Sequence, residues 1–306
     1  MINKIKNFFI QPSSLHSAFQ FSSQYGGGIL ISPRNRAVRE CFFVSLGNGE
    51  IIRPSFHKKN ILNPSLLEKK MKPEIQKLQL DDPRVIFLLP DLSQKALVFT
   101  LDSFPRSPQD REQILWYRIK KQIPLLPSDV RLSYDWFFSG EKIRVLTSVA
   151  RKLVIEEYEN FFRKFQLRVG IVGVVSLSLL SLLKKEKNFI LANIEQDSFS
   201  LLSTVDGNLV LYRQKSLPSV PLQSLNKSLD VLVQEIKNTA NYLEDREKKK
   251  IPNVWIRLGW VEKEEEVFHR LKEELPFSVK RIENSIPYSM KGREKRVLSP
   301  SIGQFG

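Results

Sequence analysis

An ordered block of predicted elements between residues 95 and 165 is the feature that most constrains how this chain folds. Lys95 to Leu101 reads as a strand. Ser107, Pro108 and Asp110 then form a typical helix N-terminus, which predicts a helix that runs to Gln122. Two strands and an amphipathic helix follow, at 130–138, 142–150 and 152–165. The block therefore predicts a compact β-α-β-β-α subdomain.

The chain before this block predicts an extension and then short strands. Residues 1–25 are rich in Ser, Gln and Phe and lead to Gly26-Gly27-Gly28, which favours a loosely ordered extension with a flexible glycine run. A strand is predicted at 29–31. Asn48-Gly49 lies between two apolar runs, and these residues tolerate positive φ, so we predict a hairpin that joins 41–46 to 50–52.

The other apolar patterns alternate between strands and helices. Val169 to Leu183 is the most apolar window, with about 15 uncharged residues, whereas a membrane-spanning helix needs roughly 20. We interpret it as a buried strand that runs into a helix. Further strands are predicted at 85–89, 189–194, 198–205, 208–214, 254–258 and 279–282, and further helices at 64–80, 222–243 and 261–275.

Composition limits the chemistry that the chain can perform. The formal charge of +15 favours contact with phosphate-rich surfaces, either nucleic acid or anionic lipid. The one cysteine, Cys41, excludes an internal disulfide, and the three histidines are far apart, so we predict neither a metal site nor a cofactor. We find no secretory signal, no phosphate-binding P-loop and no nucleophile elbow.

Six short motifs follow one another in and beside the block. They are Leu88-Leu89-Pro90-Asp91, Leu101-Asp102-Ser103-Phe104-Pro105, Arg111-Glu112-Gln113-Ile114-Leu115-Trp116, Gln122-Ile123-Pro124-Leu125-Leu126-Pro127, Ser133-Tyr134-Asp135-Trp136 and Val149-Ala150-Arg151-Lys152. Together these motifs resemble the PilM family of type IV pilus assembly proteins and the related cytoplasmic part of GspL in type II secretion.

The resemblance implies an α/β, actin-like fold with two ribonuclease H-like lobes. The expected division is a flexible extension (1–25), a first lobe (26–94), the inserted small subdomain (95–165), a second lobe (166–290) and a basic tail (291–306). Only Ser216 to Ser219 fills a gap in which the family usually has several dozen residues. We therefore expect a reduced second lobe.

The nucleotide-binding loops depart from the family pattern. Both phosphate hairpins of the family read roughly D-I-G-x-x-S, in which aspartate serves the metal and glycine lets N–H groups approach phosphate. Our alignment puts Ser32-Pro33-Arg34 in the first hairpin, and Asn193 and Glu195 in the second. The adenosine loop reads Leu258-Gly259-Trp260, and its tryptophan would fill the nucleoside space. We therefore predict a degenerate ATPase without catalytic residues.

The altered loops favour a non-catalytic scaffold, and the resemblance implies that it is cytoplasmic and peripheral on the inner membrane. The resemblance implies a PilN-like or GspL-like bitopic partner, whose tail would dock in a groove beside the small subdomain. Membrane contact would then be indirect, and the assembly ATPase stays open as a second partner.

An ATP-binding enzyme with atypical loops and a basic nucleic-acid-binding module are the alternatives, although no specific nucleic acid is expected. The choice between pilus and type II secretion stays open. The residues predicted to line the groove are Phe99, Leu101, Trp116, Ile119, Tyr134 and Trp136.

Overall fold

The computed structural model describes residues 15–47, 49–217, 224–259, 261, 263–282 and 296–305. We number its elements in chain order. The strands are β1 (Ser17–Phe21), β2 (Tyr25–Ile31), β3 (Val38–Ser45), β4 (Arg84–Leu89), β5 (Gln94–Leu101), β6 (Val130–Ser139), β7 (Lys142–Arg151), β8 (Arg168–Val174), β9 (Phe189–Ile194), β10 (Ser198–Val205), β11 (Asn208–Ser216), β12 (Asn253–Leu258) and β13 (Ser278–Arg281). The helices are α1 (Pro64–Lys77), α2 (Pro108–Gln122), α3 (Lys152–Arg163), α4 (Val175–Ser178), α5 (Ser224–Glu247), α6 (Glu264–Glu274) and α7 (Ser299–Gly303).

The two larger sheets repeat one topology. The first has the strand order β3-β2-β1-β4-β8 and the second the order β11-β10-β9-β12-β13. In each sheet, three antiparallel strands come first in the chain, and two later strands add in parallel beside the first of them. Each sheet with its helices forms one lobe. The predicted pair of α/β lobes is therefore present.

The small subdomain is the third sheet, β5-β7-β6, with α2 on one face. Ser107 caps α2 by accepting a hydrogen bond from the amide of Asp110, and Pro108 occupies the first turn, as predicted. Gly140, at φ 64°, forms the turn between β6 and β7. The predicted order of elements in this block is confirmed.

Aromatic rings fill the core of the first lobe. Phe19 and Phe21 from β1 meet Phe87 from β4, and these rings pack against Tyr158 and Phe162 from α3. The ring centroids of Phe87 and Tyr158 are 4.5 Å apart, and those of Phe19 and Phe162 are 5.2 Å apart. Such pairs add about 0.5–1.5 kcal/mol each beyond the area that they bury.

The predicted N-terminal extension is wrong from Ser17 onward. Ser17–Phe21 forms β1, the central strand of the first sheet, and Gly26 to Gly28 lie inside the buried strand β2. A Cβ on Gly27 would lie 2.5 Å from the side chain of Leu298, so glycine is needed there because the C-terminal segment packs closely against β2. Residues 1–14 lie outside the described part of the chain.

The hairpin predicted at Asn48-Gly49 is also wrong. Ile52 makes a single antiparallel bridge with Ile61 instead of joining a strand of the sheet. The hairpin that contains β3 is formed with β2, and Gly47 and Gly49 take positive φ in the chain that leaves β3. Asn48 itself lies outside the described residues.

Two of the predicted domain boundaries also change. Helix α3 and strand β8 were assigned beyond the first lobe, but α3 packs into the aromatic core of that lobe and β8 pairs with β4. The expected basic tail contains a buried end, because α7 and Phe305 pack against β1, β4 and α4. Residues 291–295 and 306 lie outside the described part.

The connection between β11 and α5 is short, as expected. Strand β11 ends at Ser216 and α5 begins at Ser224, so only seven residues, 217–223, connect them. The described part of α5 buries an apolar stripe against the sheet, and α6 packs beside it. In the described part of the chain, no helix is long and apolar enough to cross a membrane.

Candidate functional site

Two strand-turn-strand hairpins, one from each lobe, meet where the lobes face each other. The β1–β2 hairpin turns at Ser22–Gln24, closed by a hydrogen bond from the Ser22 amide to the Tyr25 carbonyl. The β9–β10 hairpin turns at 195–197, and the Glu195 amide bonds to the Ser198 carbonyl. The Tyr25 hydroxyl donates to Glu195 Oε1 across the cleft at 3.2 Å.

The predicted position of the first phosphate hairpin is therefore wrong. Pro33 and Arg34 are exposed in the turn between β2 and β3, and they are not part of the β1–β2 turn that faces Glu195. The alignment was shifted by one hairpin because β1 had not been predicted. The second hairpin, with Asn193 and Glu195, lies where the sequence placed it.

Arg257 occupies the centre of the cleft. Its side chain, on β12, is fully buried with 0% exposure. Nη1 donates to Asn193 Oδ1 at 2.9 Å and forms an ion pair with Glu195 Oε1. Nη2 donates to the Tyr25 hydroxyl and to the Val297 carbonyl, each at 2.6 Å. One guanidinium thus contacts both hairpins and the C-terminal segment.

Gln20, the residue before the last of β1, extends this network. Its Nε2 donates to the Tyr25 hydroxyl at 3.0 Å and to the Val297 carbonyl at 2.8 Å. Its Oε1 accepts from the amide and the hydroxyl of Ser301 at 3.1 and 2.8 Å. The buried amide is therefore satisfied at both of its polar atoms, as a buried polar group requires.

Burial sets the protonation of the groups around Arg257. Burial raises the pKa of Tyr25, so its hydroxyl keeps the proton that it donates to Glu195. Burial also raises the pKa of the Glu195 carboxyl, and Arg257 opposes that shift. Burial disfavours the charged guanidinium of Arg257, but Glu195 and Tyr25 together outweigh this and raise the pKa of Arg257 above its ordinary value.

Asp91 and Gly259 contact residues of this network. The buried Asp91, which follows β4, accepts the amide of Ser176 at 3.0 Å and the side-chain amide of Asn193 at 2.8 Å. The Glu195 carboxylate lies against Gly259, where an added Cβ would be 2.1 Å from Oε2. Glu195 thus fills the space beside the predicted adenosine loop. Trp260, predicted to fill the nucleoside space, lies outside the described residues.

The described residues of the two hairpins line a small cavity. A cavity of about 20 Å³ is lined by Ser22, Ser23, Asp91, Glu195 and Asp197, among others. This volume has room for about one water molecule. Three of these lining residues are acidic, and Glu195 is already paired with Arg257, so Asp91 and Asp197 are the carboxylates that would repel a phosphate group. Among the described residues, no group of three or more His, Cys, Asp or Glu could hold a metal ion.

Of the six residues that were predicted to line a groove, three are buried and three are half-buried. Phe99, Leu101 and Ile119 are buried in the core between α2 and the β5-β7-β6 sheet, so for these three the prediction of a surface role is wrong. Their apolar periodicity reflects packing within the subdomain. Trp116, Tyr134 and Trp136 are half-buried at the margin of the same core.

Tyr134 and Trp136 belong to an aromatic cluster that also contains Phe104, Phe138 and Arg111. Rings of Tyr134 and Trp136 meet Phe104 edge-on, with centroids 6.1 and 6.0 Å away, and Trp136 meets Phe138 at 5.5 Å. The Arg111 guanidinium lies 5.2 Å from the ring centres of both Phe104 and Trp136. Phe138 is 55% exposed, so this cluster presents aromatic surface and a cation to solvent.

Phe56, from the chain between β3 and α1, fills the junction of the first lobe and the small subdomain. Its side chain is buried among Phe99, Leu115 and other residues of the subdomain core. The Arg151 guanidinium donates to the His57 carbonyl at 2.6 Å beside it. The first lobe therefore inserts an aromatic side chain into the subdomain.

Gln20, Tyr25 and Arg257 were not predicted to belong to the cleft. Arg257 carried a usable signal, because an arginine inside the apolar strand Val254-Trp255-Ile256-Arg257-Leu258 must either be paired or reach solvent. Gln20 and Tyr25 carried none, since their strand positions had been interpreted as an extension.

Two lobes of one repeated topology, with paired hairpins facing across a cleft, define an actin-like α/β fold. No protein-family model and no curated protein matches the sequence. Among solved structures, the chain is similar to a PilM–PilN type IV pilus biogenesis complex with a TM-score of 0.77 at 13% identity, covering 95% of this chain and 97% of that chain.

Two further structures share the fold. A protein of Bacteroides thetaiotaomicron with an actin-like ATPase fold and unknown function gives a TM-score of 0.55 at 13% identity, over 93% of this chain and 96% of that one. The cytoplasmic domain of EpsL, an inner-membrane component of the type II secretion system of Vibrio cholerae, gives 0.50 at 11% identity, over 94% of both chains. The predicted resemblance to PilM and GspL is confirmed at the level of the fold.

Proposed function

We propose that this chain is a non-catalytic scaffold in the inner-membrane platform of a type IV pilus or type II secretion machine. The likeness to PilM in a PilM–PilN complex, over nearly the whole chain, is the observation that carries this proposal. The scaffold lies on the cytoplasmic face of the membrane and binds the N-terminal tail of a bitopic, PilN-like partner. Its charge of +15 favours the anionic leaflet without anchoring it there.

The contents of the cleft support the absence of catalysis. Glutamine stands at position 20 on β1, and asparagine at 193 on β9, so neither strand offers a carboxylate at these positions to hold a metal ion. Arg257 and Glu195 neutralise each other in the space between the hairpins. An enzyme that hydrolyses ATP needs a metal site and a phosphate cradle there.

Mg-ATP is therefore expected to leave the thermal unfolding midpoint unchanged. Between the hairpins, the described residues line a cavity of about 20 Å³, which has room for about one water molecule. Differential scanning fluorimetry with millimolar Mg-ATP, against Mg²⁺ alone at equal ionic strength, measures this. A ligand at 100 times its dissociation constant adds about 2.7 kcal/mol. A stabilisation of that size would contradict the proposal.

The aromatic cluster is our proposed docking site for the partner's tail. It presents half-exposed Tyr134 and Trp136 beside Phe138, and aromatic side chains of this kind are the usual anchors at interfaces. Trp116, half-buried on α2, stays a candidate. The probes are synthetic peptides that correspond to the cytoplasmic N-terminal tails of the bitopic platform proteins of the source organism, one for the pilus and one for type II secretion.

Trp136→Ala is expected to weaken binding of the cognate peptide at least about tenfold, since truncation of an anchor typically costs 2 kcal/mol or more. Fluorescence anisotropy of the labelled peptide measures the affinity. Tyr242→Ala is the matched control, because Tyr242 is a half-buried aromatic residue on α5 in the other lobe, flanked by Arg213 and Arg246. Equal affinities for Trp136→Ala and the wild type would place the docking site elsewhere, and failure of both peptides to bind would reject the proposed partner.

A further inference from the structure

The side chain of Arg257 contacts the first lobe, the second lobe and the C-terminal segment. Its own strand, β12, belongs to the second lobe, as do Asn193 and Glu195. Tyr25 belongs to the first lobe, and Val297 to the C-terminal segment, which packs on the opposite face of the first sheet from the aromatic core. A single side chain thus joins three separate parts of the fold.

The groups that accept hydrogen bonds from Arg257 are themselves held by hydrogen bonds with other residues. Gln20 fixes the Tyr25 hydroxyl and the Val297 carbonyl, so each of these oxygens accepts two hydrogen bonds. Asp91 fixes the amide of Asn193. The Tyr25 hydroxyl uses its one proton toward Glu195 and both lone pairs toward Gln20 and Arg257, which is the full capacity of a hydroxyl.

We propose that Arg257 is an internal lock that holds the two lobes and the C-terminal segment in one fixed arrangement. Opening the cleft would separate the guanidinium from Tyr25 and Val297, its partners outside the second lobe, and would break both hydrogen bonds that Nη2 donates. That outcome is strongly unfavourable in an interior of low dielectric constant. The lobe positions are therefore set by the chain itself and do not depend on a bound ligand.

Separate contacts join the small subdomain to the second lobe. Arg144 on β7 forms an ion pair at 2.5 Å with Glu247 at the end of α5, and both side chains are nearly buried. Gln94 Nε2 donates to the Tyr212 hydroxyl at 2.9 Å. These contacts tie the small subdomain to the second lobe, so the surface of the subdomain moves with the lobes that Arg257 holds.

The test is a distance measurement between the lobes by pulsed electron paramagnetic resonance. Spin labels are placed on Lys72→Cys in α1 and Glu244→Cys in α5, two exposed positions, in a Cys41→Ser background. With Arg257 present we expect a single narrow distance distribution, the same with and without Mg-ATP. Arg257→Met is expected to lose the single narrow peak, because the lobes can then reorient.

Arg281→Met is the matched control, since the half-buried Arg281 on β13 pairs with the exposed Glu265 within the second lobe and contacts neither the first lobe nor Val297 in the described contacts. It should keep the narrow peak. Arg257→Lys, which keeps the charge but not the planar fork, should broaden the peak less than Arg257→Met. A narrow, unshifted peak in Arg257→Met would overturn the proposal.

Hydrogen exchange in the unmodified protein tests the lock even if Arg257→Met does not fold. The Ser301 amide donates to Gln20 Oε1, and the Glu195 amide closes the second hairpin. We expect both amides to exchange as slowly as those of the central strands β1 and β9, because the cleft opens only with global unfolding. Fast exchange of these two amides while β1 and β9 stay protected would show that the cleft opens freely, and the proposal would be wrong.

Discussion

Replacing Arg257 with methionine is expected to lower the free energy of unfolding by about 3–5 kcal/mol, the usual cost of removing one partner from a buried ion pair. Methionine fills part of the space but donates no hydrogen bond. Glu195 then keeps a buried carboxylate without its counter-charge, and the Val297 carbonyl loses one of its two donors. Urea denaturation followed by circular dichroism measures the change.

Two further variants separate the ion pair from general damage. Arg281→Met removes a pair whose carboxylate, on Glu265, is 76% exposed and stays solvated, so it should cost less than Arg257→Met. Combining Arg257→Met with Glu195→Leu removes both charges, and it should recover much of the loss, because apolar replacement of a whole buried pair is often neutral. A loss below about 1 kcal/mol for Arg257→Met, or no recovery in the double variant, would contradict this account.

Phe56→Ala is expected to cost about 3–5 kcal/mol, as is typical of a buried phenylalanine. Phe56 is 2% exposed and lies in the core of the small subdomain, although its chain belongs to the first lobe. The cavity would therefore open at the junction of the two units. The loss should appear as a lower unfolding midpoint together with faster hydrogen exchange in β5 and β7, which line that core.

Phe138→Ala is the control for this substitution, since it removes the same side chain from a position that is 55% exposed. We expect a cost of less than about 1 kcal/mol, because little apolar surface is returned to water. If the two phenylalanine variants lost the same stability, Phe56 would not be the residue that fills the junction.

The sequence predicted local structure best where each element carried its own signals. Helix α2 has a serine cap, a proline in its first turn and a buried stripe, and its observed bounds agree with the predicted ones. Strands β9 to β11 are bounded by polar turns, with Asp206-Gly207 at positive φ between β10 and β11. In these places local propensity and apolar periodicity point to the same structure.

Strand β1 could not be predicted in the same way. Ser17-Ala18-Phe19-Gln20-Phe21 has no β-branched residue, and its serine and glutamine suggested a polar extension. It is a strand because it lies between β2 and β4, where neighbours on both sides complete its hydrogen bonds and Phe19 and Phe21 enter the aromatic core. This one omission also displaced the predicted phosphate hairpin to Ser32–Arg34.

For the predicted partner surface, periodicity showed which residues share a face, and packing decided which of them are buried. A period of two correctly placed Tyr134 and Trp136 on one face of β6, and the same rule placed Phe99 and Leu101 together on β5. Periodicity does not indicate which face a helix will cover. Helix α2 buries Phe99 and Leu101 and leaves Tyr134 and Trp136 half-exposed, so only the packing separated core from surface.

The sequence by itself determined the order of the elements from α1 to β13, the small subdomain, the short connection before α5 and the resemblance to PilM, because these depend on local patterns and on their spacing along the chain. Only the tertiary structure decided what fills the cleft. Gln20, Tyr25, Glu195, Arg257 and Val297 are far apart in sequence, and no periodicity relates them. Their meeting follows from the packing of two lobes and a C-terminal segment, where a buried charge must find its partners.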